Sequence, residues 1–180
     1  VNFELCPAKT FQKEDGSFIL GRTVVEHCHI VGAVAQRLIA LYPPALQSAL
    51  FPPDAAFAAA CHDIGKVSPS FVEKLRRHCS SGMEHIPKQA VSPELEKCWG
   101  GHAGVSLAAA KALGAPAWIP DILGQHHGFS PQLGGKQADA EVFGGSAWQA
   151  QRAALVQELQ QRLGMSWPHI ASAAQARLVA

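Results

Sequence analysis

The chain has 180 residues, 48% of them apolar and 16% charged, with 15 basic side chains against 14 acidic ones. This size and composition predict one globular domain with a real core; they exclude disorder and a global positive field, so any polyanion binding has to be local. The longest apolar runs, such as Ala55 to Cys61, are far too short to span a bilayer, and no basic segment followed by an apolar stretch marks a signal peptide.

In chain order, Thr23-Val24-Val25-Glu26 reads as a capping box opening a helix. His27, Val31, Val34, Leu38 and Leu41 then recur at helical spacing on one face, and Pro43-Pro44 ends it. A second helix is predicted after Pro53, with Asp54 near its first turn and a stop at Gly65. Ser68-Pro69 supplies an N-cap and a first-position proline for a helix through Phe71 to Arg77. A fourth helix runs from about His102 to Leu113, before Gly114 and Pro116. A fifth begins near Pro120-Asp121 and delivers His126-His127 just before Gly128. Leu155, Leu159 and Leu163 mark another amphipathic helix, and a last one covers Ile170 to Val179. Alternating strand patterns are almost absent, so the expected fold is all-α. Two stretches resist helix assignment, Ser80 to Gly101 and Gly128 to Ser146, and loops of that length are usually functional or mobile. No internal repeat and no Gly-x-x-x-x-Gly-Lys phosphate loop is present.

The chemistry concentrates at His62-Asp63, inside Ala59-Ala60-Cys61-His62-Asp63-Ile64-Gly65-Lys66. The pair offers a neutral nitrogen and an anionic oxygen from one turn of backbone, a combination that divalent transition metals take readily. His27 lies on the apolar stripe of its helix, where a metal or a hydrogen-bonded core setting would each satisfy its ring; His29 falls on the polar side. His102 opens a helix after Gly100-Gly101, and His126-His127 are adjacent imidazoles pointing about 100° apart at a helix end. Singly, each has a structural reading. Together, five histidines and one aspartate exceed one structural zinc and suit two adjacent sites about 3.5–4 Å apart, with Asp63 as the bridge. Such a pair serves phosphodiester hydrolysis. Lys66, one turn beyond Asp63, is either a phosphate contact or an ordinary surface lysine. His78, His85 and His169 read as surface residues. Lys74, Arg76 and Arg77, with Lys66 nearby, form a basic cluster that is either a solvated face or a guide for a nucleic-acid backbone. The five cysteines never form a Cys-x-x-Cys pair and read as free thiols of a reducing cytoplasm, with Cys28 and Cys61 buried.

The order His27, His62-Asp63, His102, His126-His127 resembles the HD superfamily of metal-dependent phosphohydrolases. Glu26-His27-Cys28 with Gly32-Ala33-Val34-Ala35, then His62-Asp63-Ile64-Gly65-Lys66, Gly101-His102-Ala103-Gly104 and Gln125-His126-His127-Gly128-Phe129, resemble one branch more narrowly. That branch is the HD nuclease domain of the CRISPR-associated helicase–nuclease of type I interference. The resemblance spans roughly residues 20 to 180. It implies a helical HD bundle with two long loops, occupying residues 1–180 as a single nuclease domain. It also implies two divalent metal ions (iron, nickel, cobalt, manganese or zinc) and cleavage of single-stranded DNA in antiviral defence. By the resemblance, His27 and His62 hold one metal, His102, His126 and His127 the other, Asp63 is shared, and Lys66 matches a lysine suspected of phosphate contact. Implied partners are a helicase C-terminal to this segment and an RNA-guided surveillance complex, in the cytoplasm and without a membrane.

The family carries a further aspartate on its last helix, in a Ser/Ala-Asp-Trp setting that completes the first metal site. Here Ala176-Arg177-Leu178-Val179-Ala180 resembles the stretch just before it, and no Asp-Trp pair occurs. The expectation is a segment of a longer protein with weakened affinity at the first site. Two other readings compete: an HD phosphohydrolase acting on nucleotides or cyclic dinucleotides, and a non-catalytic module stapled by metal. The first needs a closed pocket where a nuclease needs an open groove. The second predicts metal-dependent folding without hydrolysis.

Overall fold

The structure, a computed structural model, describes residues 2–79, 81–131 and 143–179. Helix α1, Val24–Ala40, opens with the expected capping box: the Thr23 hydroxyl accepts from the Glu26 N–H and the Glu26 carboxylate accepts from the Thr23 N–H at 2.9 Å. Its core face differs from the expected stripe. Val24, Val25, Cys28 and Gly32 are buried, whereas Val34, Leu38 and Leu41 are exposed. The buried stripe is made of small residues, and Gly32 shows why. A β-carbon there would approach the Ala60 β-carbon to 2.7 Å and Leu163 Cδ1 to 2.8 Å, so its absence lets α1 settle against the helices carrying those residues. His27 therefore stands at the margin of the packed face.

Pro43-Pro44 ends α1 as expected, but Pro44 also takes the first position of a short helix, α2 (Pro44–Leu50), that the reading of prolines as stops had missed. Helix α3, Ala55–Ala60, is buried at five of its six positions and runs into a turn and a 3-10 helix over Ile64–Lys66, so the expected helix to Gly65 is realised as two tighter pieces. Ser68 caps α4, Pro69–His78, by accepting from the Phe71 N–H. The stretch read as the first long loop holds a 3-10 helix over Pro93–Trp99. Then follow α5 (Gly101–Ala112), α6 (Ile119–Gly124), α7 (Gly145–Leu163) and α8 (Ala173–Val179), the last starting later than Ile170. Most of the second expected loop, 132–142, lies outside the described residues.

The architecture is all-α with one addition, a short antiparallel pair of strands, β1 (Thr10–Gln12) and β2 (Phe18–Leu20), in register Phe11 to Ile19. The core gathers Phe57, Ile64, Val67, Val72, Ile119, Leu123, Leu155 and Leu159 around α3. Arg152 is buried on α7, and its guanidinium donates to the carbonyls of Val67 at 2.8 Å and Phe143 at 3.0 Å, tying α7 to the end of the Ile64–Lys66 turn. Among the described residues no helix is long and apolar enough to cross a membrane.

Candidate metal centre

Four elements bring their ends to one point. The all-apolar α3 cannot leave the core, so the turn after it holds His62 and Asp63 at the core's edge. Gly65 then presses this turn against α5. A β-carbon on Gly65 would collide with the His102 carbonyl and the Ser106 amide, and the Gly65 N–H donates to the Ser106 hydroxyl at 2.9 Å. The first turn of α5 thus sets His102 beside Asp63. Helix α1 contributes His27, and the turn ending α6, which packs along α5, contributes His126 and His127.

The Asp63 carboxylate is the hub, only 2% exposed. Its Oδ2 lies 3.0 Å from His27 Nε2, 3.0 Å from His62 Nε2 and 2.7 Å from Lys66 Nζ. Its Oδ1 faces the other way, 3.2 Å from His102 Nε2 and 3.5 Å from His126 Nε2. His127 Nε2 reaches His102 Nε2 at 3.0 Å. Two rings are fixed from behind: Nδ1 of His62 meets the Ala59 carbonyl at 2.7 Å, and Nδ1 of His126 meets that of Leu123 at 2.7 Å. A carbonyl only accepts, so each Nδ1 carries the proton and each Nε2 turns a lone pair toward Asp63.

Burial pulls the Asp63 carboxyl upward, but the imidazoles of His102, His27 and His62 packed around it outweigh this and hold the group far below the usual carboxylate range. Burial alone would lower His102, yet the carboxylates of Asp63 and Glu96 raise it. His126 is pushed down to about 4, chiefly by burial. His127 is lowered by burial and by the neighbouring His102.

The donor set fits divalent metal. His27 Nε2, His126 Nε2 and Asp63 Oδ1 are buried yet make no aligned hydrogen bond among the described residues, an arrangement that costs about 1–3 kcal/mol per group when nothing occupies it. They converge in two groups able to hold an ion: His27, His62 and Asp63, and His102, His126 and His127, with the ligand atoms of each group within 4.8 Å of one another. Nitrogen and carboxylate oxygen in that mixture suit zinc, iron, manganese and their neighbours.

All six residues expected as ligands are therefore brought together. Lys66 is no surface lysine; it is buried, with its ammonium on Asp63 and 3.3 Å from the Ala8 carbonyl. The expected basic face is largely neutralised: Arg76 pairs with Glu73 at 3.1 Å and donates to the carbonyls of Met83 and Ile86, Arg77 pairs with Glu94 at 2.8 Å, and Lys74 stands 3.9 Å from Glu96. His78, His85 and His169 are exposed. Cys28 and Cys61 are free, buried thiols, each pushed up by burial, and they pack as small apolar residues. One participant escaped the sequence reading. Glu96 is 2% exposed with its Oε1 3.7 Å from His102 Nδ1, while Glu94, two residues earlier, faces solvent.

Comparison with curated proteins gives no match, and comparison with solved structures gives none either. The family model described as Cas3, HD domain, matches residues 8–179. That span takes in all four elements bearing the cluster as well as α7 and α8. The chain thus belongs to the Cas3 HD-domain family, metal-dependent nucleases of CRISPR defence.

Proposed function

We propose that this domain cleaves single-stranded DNA with two divalent transition-metal ions, one held by His27 and His62, the other by His102, His126 and His127, with Asp63 shared. One observation carries the reading: the two oxygens of a single buried carboxylate face two different groups of imidazoles. When bound, such a pair of ions supplies Lewis acidity to the scissile phosphodiester and lowers the barrier to its attack by water. The protein's part is positioning and charge. Asp63 stays ionised at neutral pH, and the carbonyls behind His62 and His126 fix the reactive tautomers. Lys66 holds Asp63 in place, so any phosphate contact by this ammonium requires it to leave that carboxylate. His127 is exposed, and the adjoining Gln125, Gly128 and Phe129 are exposed as well, which suits a polymer better than an enclosed nucleotide.

The same reading places the domain in the cytoplasm as the nuclease unit of a longer helicase–nuclease, recruited by an RNA-guided surveillance complex. Val179, on α8, lines a cavity of about 190 Å³ with His62 and His126. This supports the view that a carboxylate C-terminal to this segment completes the first group, and a chain extended past Ala180 is expected to bind that ion more tightly. The deciding experiment pairs metal analysis with digestion of circular single-stranded DNA and of a cyclic dinucleotide, for the native chain and for Asp63→Ala. Two bound ions and cleavage of the circle, both lost in Asp63→Ala, are expected. Hydrolysis of the dinucleotide alone would favour a nucleotide phosphohydrolase, and metal-dependent folding without hydrolysis under any divalent ion would favour a structural staple.

A further inference from the structure

Each imidazole in this cluster needs its second nitrogen accounted for. For His62 and His126 a backbone carbonyl in the preceding turn does so. His102 is different. Its Nε2 faces Asp63 Oδ1 and His127, and behind it Nδ1 faces a carboxylate, Glu96 Oε1, at 3.7 Å. Both Glu96 oxygens are buried and neither has a hydrogen-bond partner among the described residues. The half-exposed Lys74 ammonium stands 3.9 Å away. A carboxylate so enclosed and so weakly paired is costly to the fold. Between the Pro93–Trp99 turn and α5 the backbone passes through Gly101 at a φ of +74°, a left-handed conformation that favours glycine.

We propose that Glu96 is a positioning residue for His102, orienting its ring and lending a buried negative charge to the His102–His126–His127 group. The inference rests on that group binding a divalent ion. The physical need is specific to this group. His27 and His62 share Oδ2 of Asp63 directly, whereas His102, His126 and His127 are three neutral donors with only the opposite oxygen of Asp63 nearby. A carboxylate behind a ligating imidazole fixes its tautomer and makes the facing nitrogen a stronger donor, and losing such a partner typically weakens metal binding about 10–100-fold.

Cobalt(II) titration of the 180-residue chain tests this, read by metal stoichiometry and by ligand-field absorption, with His102→Ala to identify which equivalent belongs to the second group. Glu96→Gln keeps the shape and removes the charge; Glu96→Asp keeps the charge. Expected is an about 10–100-fold weaker second equivalent in Glu96→Gln with a shifted absorption band, an unchanged first equivalent, and partial recovery in Glu96→Asp. Wild-type-like loading of Glu96→Gln overturns the inference while leaving the two-site reading intact. Equal weakening of both equivalents together with a fall in melting temperature overturns it too, because that marks a role in packing. A wild-type chain that takes no cobalt at His102 overturns the reading beneath and the inference with it.

Discussion

His27, His62 and Asp63 come from α1 and from the turn after α3, and they carry their negative charge within the ligand set. His102, His126 and His127 come from α5 and the end of α6; all three are neutral donors, and charge reaches them from Asp63 Oδ1 on one side and Glu96 on the other. The first group is locked by the core: Asp63 is pinned by Lys66, and α1 is seated on α3 through Gly32. The second reaches solvent at His127. The two groups of potential ligands thus differ in who supplies the charge and how far the scaffold dictates geometry. The two oxygens of Asp63 face both.

The strongest way to break this contrast is Asp63→Ala. If both groups lean on this carboxylate, the variant loses both ions, and cleavage falls by about 10²–10³-fold or more, the scale of removing a principal electrostatic stabiliser. Metal analysis alongside a cleavage assay reads both. Retention of one full equivalent would show that the second group draws its charge from elsewhere.

Lys66→Met separates pinning from catalysis. Removing this ammonium leaves Asp63 buried beside neutral rings, a broken buried pair that costs about 3–5 kcal/mol. For a chain of this size that is a fall of roughly 6–20 °C in the melting temperature of the metal-free protein. Divalent metal, taking over the missing positive charge, should recover much of the loss. A deficit equal with and without metal would mean that Lys66 supports packing rather than the first group's charge balance.

Acidification acts on the second group. His102 is raised above the ordinary imidazole range, so its proton competes with metal as pH falls through that raised value, and loading weakens by about tenfold per pH unit below it. His126, lowered to about 4, adds no competition until far more acidic conditions. In the metal-free protein the sign reverses: the raised His102 contributes stability that is complete below its unfolded value and is lost as pH rises through the folded one. Cobalt titrations and melting curves across pH 5 to 8 should therefore run in opposite directions.

The residues that gather around Asp63 are legible in the sequence because histidine and aspartate at helix ends are sparse, chemically distinct marks whose joint spacing is hard to explain otherwise. What surrounds them was less so. The Lys74, Arg76 and Arg77 cluster reads as open charge because two of its partners, Glu94 and Glu96, are identified only by how α4 packs on the Pro93–Trp99 turn; Glu73, three residues before Arg76 on α4 itself, is the one the spacing could have named. Glu94 and Glu96 are the same residue type two positions apart, and in a 3-10 helix nothing in their composition tells which turns inward. Arg152, a surface type by habit, is buried because two carbonyls left outside helical ladders need its donors. On α1 the count of large apolar residues selected the wrong face, since Cys28 and Gly32 achieve close packing by being small.

That last misreading yields the two mildest tests of the first group's dependence on its scaffold. Gly32→Val would drive methyl groups into Ala60 and Leu163, costing about 1–3 kcal/mol and moving His27 relative to Asp63. Its signature is a weakened first equivalent of metal with the second unchanged, because His102, His126 and His127 hang on other helices. Leu38→Ser, on the opposite face of the same helix, is expected to change stability by less than about 0.5 kcal/mol and to leave both equivalents alone. Leu38 is 55% exposed, so little apolar area is lost from the folded state when it becomes polar. If Leu38→Ser proved the more damaging of the two in thermal melts and cobalt titration, α1 would be seated by its large residues after all. The margin position of His27, and with it the claim that packing dictates the first group's geometry, would then have to be abandoned.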